Sequence, residues 1–120
     1  MIERMRPHQS WDSVNIMALT DAIASLDDPD QVANGRRLNS EARAFVVSEL
    51  YEMGYKGIPS QANFIMFDCK RPVVPLIQAM KQRQVEVGRL FPAMPNHMRL
   101  TIGKKTEMES FLSAFRQIAA

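Results

Sequence analysis

The sequence predicts a small α/β (α+β) domain, a three-stranded sheet with helices packed on it. Three observations carry this reading. Apolar residues recur at helical spacing near both ends of the chain, short runs rich in β-formers lie between positions 63 and 102, and glycines and prolines punctuate the junctions. The resulting order is helix, helix, strand, helix, strand, strand, helix, in which a small sheet buries one face under helices.

The first helix is expected from Asp12 to Leu26, where Ile16, Leu19, Ile23 and Leu26 share a stripe, and "DDPD" at Asp27 to Asp30 interrupts it. A second, longer helix follows from Leu38, Ala42, Phe45, Val46, Leu50 and Met53. Gly35 weakens its first part, and Gly54 stands where a left-handed C-terminal residue is wanted. After "GYKGIPSQ", the segment "NFIMFD" (Asn63 to Asp68) is apolar on both faces, as in a central strand covered by helices. In "RPVVPLIQAMKQRQ", Leu76, Ile77 and Met80 form a helical stripe, with Pro72 and Pro75 tolerable only in the opening turn. "VEVG" (Val85 to Gly88) is the expected second strand, "RLFPAMPN" a turn-rich loop, and "HMRLTI" the third strand. The closing helix carries Met108, Phe111, Leu112, Phe115 and Ile118 on one stripe, and Thr106 with Glu109 has capping-box spacing.

At 120 residues the chain fits a single domain, 1–120, able to bury a real core, and 46% hydrophobic with 23% charged residues is an ordinary globular composition. A net charge of +2, without basic stretches interleaved with aromatics, argues against a nucleic-acid partner. Cys69 has no second cysteine to pair with, and with only His8 and His97 as imidazoles there is no metal-ligand spacing. No stretch suits a signal peptide or a membrane span, so the expectation is a cytoplasmic protein without membrane or metal.

Catalytic motifs are missing: there is no nucleophile elbow, and Gly35, Gly54, Gly57, Gly88 and Gly103 are scattered singly rather than forming a phosphate cradle. Met66, Met80, Met98 and Met108 fall on apolar stripes and read as core, and Cys69 as an idle buried thiol. The best chemical candidates are Arg89, which starts the turn leaving the second strand, and Arg99. Within "NHMRLTIG", Arg99 alternates away from Met98, Leu100 and Ile102. That face is either ordinary surface, on which Arg99 is solvated or takes a structural salt bridge, or the lining of a site in which a guanidinium fork takes an anion.

The stretches "PSQANFIMFD" and "VEVGRLFPAMPNHMRLTIG" with the following capped helix, and upstream "SVNIMALTDAIASL" and "GRRLNSEARAFVVSELYEMGY", resemble the C-terminal small domain of fold-type I pyridoxal-phosphate aminotransferases. The histidinol-phosphate aminotransferase group is the nearest look, and "NHMRLTIG" is the most specific part. The resemblance implies that Arg99 grips the α-carboxylate of an amino-acid substrate. It implies further that Arg89 contacts the far end of the substrate, a phosphate in histidinol-phosphate enzymes, and that Asn15, near the domain junction, is a third substrate-binding position. It also implies pyridoxal 5'-phosphate in the full-length enzyme, bound by a large domain absent from this chain, and a homodimer when full length. The family's Schiff-base lysine stands in a Ser-x-x-Lys segment that Lys56, Lys70, Lys81, Lys104 and Lys105 do not reproduce, so the chain alone is expected to bind no cofactor and to be inactive. Exposure of the stretch from Trp11 through Leu19 would favour artificial dimerisation. The rival reading is a freestanding ferredoxin-like regulatory module that binds its ligand unaided, although a final strand after Ile118 is missing.

Overall fold

The computed structural model describes residues 2–5, 7 and 14–119; His8, Trp11 and Asp12, considered above, lie outside the described residues. Its contacts divide into two compact units, Met1–Asn34 and Gly35–Ala120.

The first unit contains α1 (Ile2–Met5) and α2 (Ile16–Asp27). Asn15 caps α2: its side-chain oxygen accepts from the Met17 and Ala18 amides at 2.9 and 3.5 Å, satisfying two of the otherwise orphaned N–H groups of the first turn. The helix therefore starts after Asn15. Asp28 ends it, and its carboxylate accepts from the Asp30 amide at 2.9 Å to form the turn that the "DDPD" break predicts. No α2 side chain is buried, and Val14, Ile16, Met17, Leu19, Ile23 and Leu26 are all exposed.

Helix α3 (Gln31–Glu52) starts in the first unit and runs into the second. Ala42, Val46 and Leu50, spaced by four, form its buried stripe. It ends as Gly54 predicts. At a φ of +82°, that residue turns the chain so that Gly54 N donates to Tyr51 O and Tyr55 N donates to Leu50 O, the paired bonds of a Schellman motif. Tyr55 is thereby folded edge-on against Phe67 and Phe115.

The second unit continues with β1 (Phe64–Asp68), α4 (Val73–Gln82), β2 (His97–Thr101) and α5 (Lys105–Ala119). The sheet has two strands, β1 and β2, paired antiparallel with Met66 opposite Arg99 and Phe67 opposite Met98. Ile65, Phe67, Met98 and Leu100 form the inner face, buried with Val73, Leu76 and Met80 of α4 and Met108, Phe111, Leu112 and Phe115 of α5. Phe67 is fully buried and meets Phe111 and Phe115 edge-to-face.

The expected strand at Val85 to Gly88 is not formed. Gln84 adopts a φ of +62°, closing α4 with a second Schellman pair in which Val85 N donates to Met80 O and Gln84 N to Lys81 O. The amide that would begin a ladder is thus spent on the helix end, and only Gly88 reaches β2, donating to Arg99 O at 2.9 Å. On the other edge of β1, Ile58 N donates to Met66 O and Asp68 N to Lys56 O, without a further strand. The outer sheet face is not covered like that of a central strand either: Phe64, Met66 and Arg99 are only half-buried. With β1 and β2 adjacent and antiparallel and no other strand among the described residues, the ferredoxin-like unit of the rival reading is absent.

The capping box of α5 is also shifted. Glu107, not Glu109, reaches back, its carboxylate accepting the Lys104 amide at 2.7 Å, because the helix already begins at Lys105. Pro72 stands at the N-cap of α4 and Pro75 in its first turn, as expected.

Cys69 follows β1 into the core, 2% exposed. Burial pushes its thiol from 9.0 up to about 11, against a smaller lowering by the Met98 backbone hydrogen bond. Because the folded state holds the thiol proton more tightly than the unfolded chain, this contribution to stability is complete below pH 9 and is lost as pH rises from 9 to 11. Denaturant unfolding across that range should show a steeper loss of stability in the native sequence than in Cys69→Ala, and equal slopes would contradict the burial.

Candidate functional site

Strand alternation sends Phe64, Met66 and Asp68 of β1, with His97, Arg99 and Thr101 of β2, to the sheet face opposite the core. On this face Arg99 lies directly across from Met66 and diagonally from Phe64, within reach of a long side chain. Its guanidinium carbon sits 4.3 Å from the centroid of the Phe64 ring. That is a close cation–π contact, and it places aromatic carbon instead of water on the guanidinium. The Arg99 Nε is buried and has no hydrogen-bond partner. Among the described residues no carboxylate pairs with Arg99; the ion pairs are Arg37 with Glu41 and Arg116 with Glu49. The salt-bridge alternative for Arg99 therefore has no carboxylate partner among the described residues.

Arg89 is brought next to this strand by its neighbour. Gly88 packs so tightly on β2 that a Cβ there would lie 2.8 Å from Arg99 Cβ and 2.9 Å from Arg99 O. From that contact the loop from Arg89 to Asn96 departs, and it is tied down along its length. Met94 N donates to Phe91 O at 2.9 Å, His97 N to Met94 O at 3.0 Å, Val73 N to Pro95 O at 2.9 Å and Cys69 N to Asn96 O at 2.8 Å. The loop is thus fastened to the start of α4 and the end of β1. Arg89 itself is exposed, its guanidinium carbon 4.8 Å from the Phe91 ring centroid.

The structure therefore brings Arg89 and Arg99 to adjoining backbone positions. Asn15 belongs to the first unit, where its side chain is engaged in capping α2. Two residues that the sequence reading passed over also take part. Phe64 was legible only as a β-former and Gly88 only as one scattered glycine, because their contacts with Arg99 depend on a register that no local pattern encodes.

No lysine lies on β1 or β2, and Lys70 and Lys105 stack on the Tyr55 and Phe45 rings. Among the described residues there is no group of three or more His, Cys, Asp or Glu able to hold a metal, and no helix is long and apolar enough to cross a membrane. A cleft of about 530 Å³ lined by Leu38, Ala42, Phe45, Ile102 and Lys105 includes neither arginine.

No family model matches the chain. It is 37% identical over 109 residues to histidinol-phosphate aminotransferase 2 of Pseudomonas fluorescens Pf-5, covering 90% of this chain and 30% of that protein. It is 34% identical over 110 residues to the histidinol-phosphate aminotransferase of Moorella thermoacetica, covering 90% of this chain and 28% of the relative. The chain is homologous to the C-terminal part of histidinol-phosphate aminotransferases. It spans about 30% of the length of these curated relatives. Solved aminotransferases share its fold. A structure assigned as a histidinol-phosphate aminotransferase from Erwinia carotovora atroseptica superposes with a TM-score of 0.82 at 23% identity, over 96% of this chain and 34% of that one. The histidinol-phosphate aminotransferase of Sinorhizobium meliloti, solved with pyridoxal-5'-phosphate, gives 0.68 at 19% identity, over 82% of this chain and 28% of that one. The mixed helix-and-sheet class predicted from the sequence is the one these aminotransferases share, with two strands in place of three.

The Gly88 contact makes a direct prediction. Gly88→Ala would push its methyl group into the Arg99 backbone, which cannot swing aside, so the variant should lose about 1–3 kcal/mol of unfolding free energy in urea titration. An unaltered midpoint would show that the two segments are not packed as described.

Proposed function

We propose that this chain is the C-terminal domain of a pyridoxal-phosphate-dependent aminotransferase of the histidinol-phosphate type, in which Arg99 holds the substrate's α-carboxylate. The observation that carries the reading is the Arg99 guanidinium: unpaired among the described residues, stacked on Phe64, and carried on the strand stretch that most specifically resembles the family. An arginine is the side chain for this task because its planar fork meets both carboxylate oxygens at once, and because it stays charged when partly shielded from water.

Arg89, at the root of the anchored loop, is proposed to contact the far end of the substrate, a phosphate in a histidinol-phosphate substrate. Its exposure fits a group that meets a ligand from outside this unit. Asn15 is proposed to lie near the junction with the large domain. That domain, outside this chain, is proposed to hold the cofactor, which supplies the electron sink for amino transfer between an amino acid and a 2-oxo acid. The residues described here act on the substrate instead. The intact enzyme is proposed to be a cytoplasmic homodimer, and the isolated chain to be inactive.

Arg99→Lys in the intact aminotransferase should lower kcat/KM for the amino donor by about a hundredfold, since a point charge replaces a bidentate fork. Steady-state kinetics matching the native enzyme would remove Arg99 from the site. Arg89→Ala should separate the two ends of the substrate. Turnover of a phosphorylated amino donor should fall by about tenfold or more in kcat/KM, while a non-phosphorylated amino acid changes by less than about twofold. Equal losses for both donors would assign Arg89 another role.

A further inference from the structure

We propose that Phe64 is a positioning residue for Arg99, setting the plane in which its guanidinium meets a carboxylate. The inference rests on the reading of Arg99 as the carboxylate clamp and deepens it by naming what aims the clamp.

Bidentate pairing requires both carboxylate oxygens to lie near the guanidinium plane, so the orientation of that plane decides whether one or two hydrogen bonds form. A long arginine side chain free in water does not hold one plane. Here the guanidinium carbon lies 4.3 Å from the Phe64 ring centroid, and the Nε is buried without a partner. The ring covers one side of the cation, and the buried Nε withdraws from solvent. Pairing with an incoming oxyanion is left to the two terminal nitrogens. The stacking thus orders the fork before substrate arrives, which removes part of the ordering entropy from the binding step.

The backbone that carries the ring is held in place. Ser60 Oγ donates to Phe64 O at 2.7 Å, the neighbouring Asn63 O accepts Ile102 N at 2.8 Å, and Arg43 donates to Ala62 O at 2.9 Å. The approach to β1 is therefore pinned to both β2 and α3. At the other edge of β2, the bare Gly88 leaves room for the first carbons of the Arg99 side chain. None of these neighbours carries a charge that competes for the terminal nitrogens of Arg99.

The test uses the intact aminotransferase and compares Phe64→Leu, Phe64→Tyr and Arg99→Lys. Phe64→Leu should raise KM for the amino donor about tenfold with kcat changed by less than about twofold, and Phe64→Tyr, which keeps the ring, should restore KM to within about twofold of the native value. Site-specific pentafluorophenylalanine at position 64 keeps the shape of the ring and inverts its quadrupole, so it reads the same contact with packing intact. It should raise KM as Phe64→Leu does. Native KM values in both ring-altered proteins, in an enzyme that Arg99→Lys has crippled, would overturn the positioning role and leave the clamp standing. Native kinetics in Arg99→Lys would overturn the clamp and the positioning role together.

Discussion

The pairing of Phe64–Asp68 with His97–Thr101 is the constraint on which the second unit depends. Its antiparallel register places Ile65, Phe67, Met98 and Leu100 on one face, where three helices bury them, and Phe64, Met66 and Arg99 on the other. A slip of one residue would exchange the two faces, moving a guanidinium into the aromatic core and Phe67 or Met98 out of it. Burying an unpaired charge against Phe111 and Phe115 is far less favourable than burying a methionine, so the core enforces the register and the register sets the outer face. The geometry around Arg99 is thus a consequence of how Phe67 packs on the opposite side of the sheet.

Backbone hydrogen bonding decides why the sheet stops at two strands. Both α3 and α4 end in paired bonds from a left-handed residue, Gly54 in one case and Gln84 in the other. Glycine announces the first. Glutamine does not announce the second, since a side chain normally disfavours that conformation and only the closure of α4 holds it there. With Val85 N committed to Met80 O, the segment that alternates like a strand gives β2 a single backbone bond, from Gly88 N to Arg99 O. The same single bond, from Gly88, seats the root of the loop that carries Arg89.

Much of the fold was legible locally. The helical stripes, the break at Asp27–Asp30, the glycine end of α3, the prolines opening α4 and the two paired strands all follow from periods and residue types that act over a few positions. The shifted cap of α5 was less legible, because Glu107 and Glu109 both satisfy part of the pattern and only the true helix start chooses between them. For the candidate site, alternation marked Arg99 as facing away from the core, and family resemblance supplied its chemical role. Phe64 and Gly88 carried no such mark: Phe64 meets Arg99 only across the sheet, and Gly88 only at the free edge of β2.

What the sequence by itself determined was the set of elements, the buried face of each, and the presence of a charge on the outward face of the last strand, because side-chain period and turn chemistry are local properties. What only the tertiary structure decided was the partner of that charge. Whether Arg99 met a carboxylate, water or an aromatic ring depended on which residue the register set diagonally opposite, and that was chosen by the packing of the other face of the sheet.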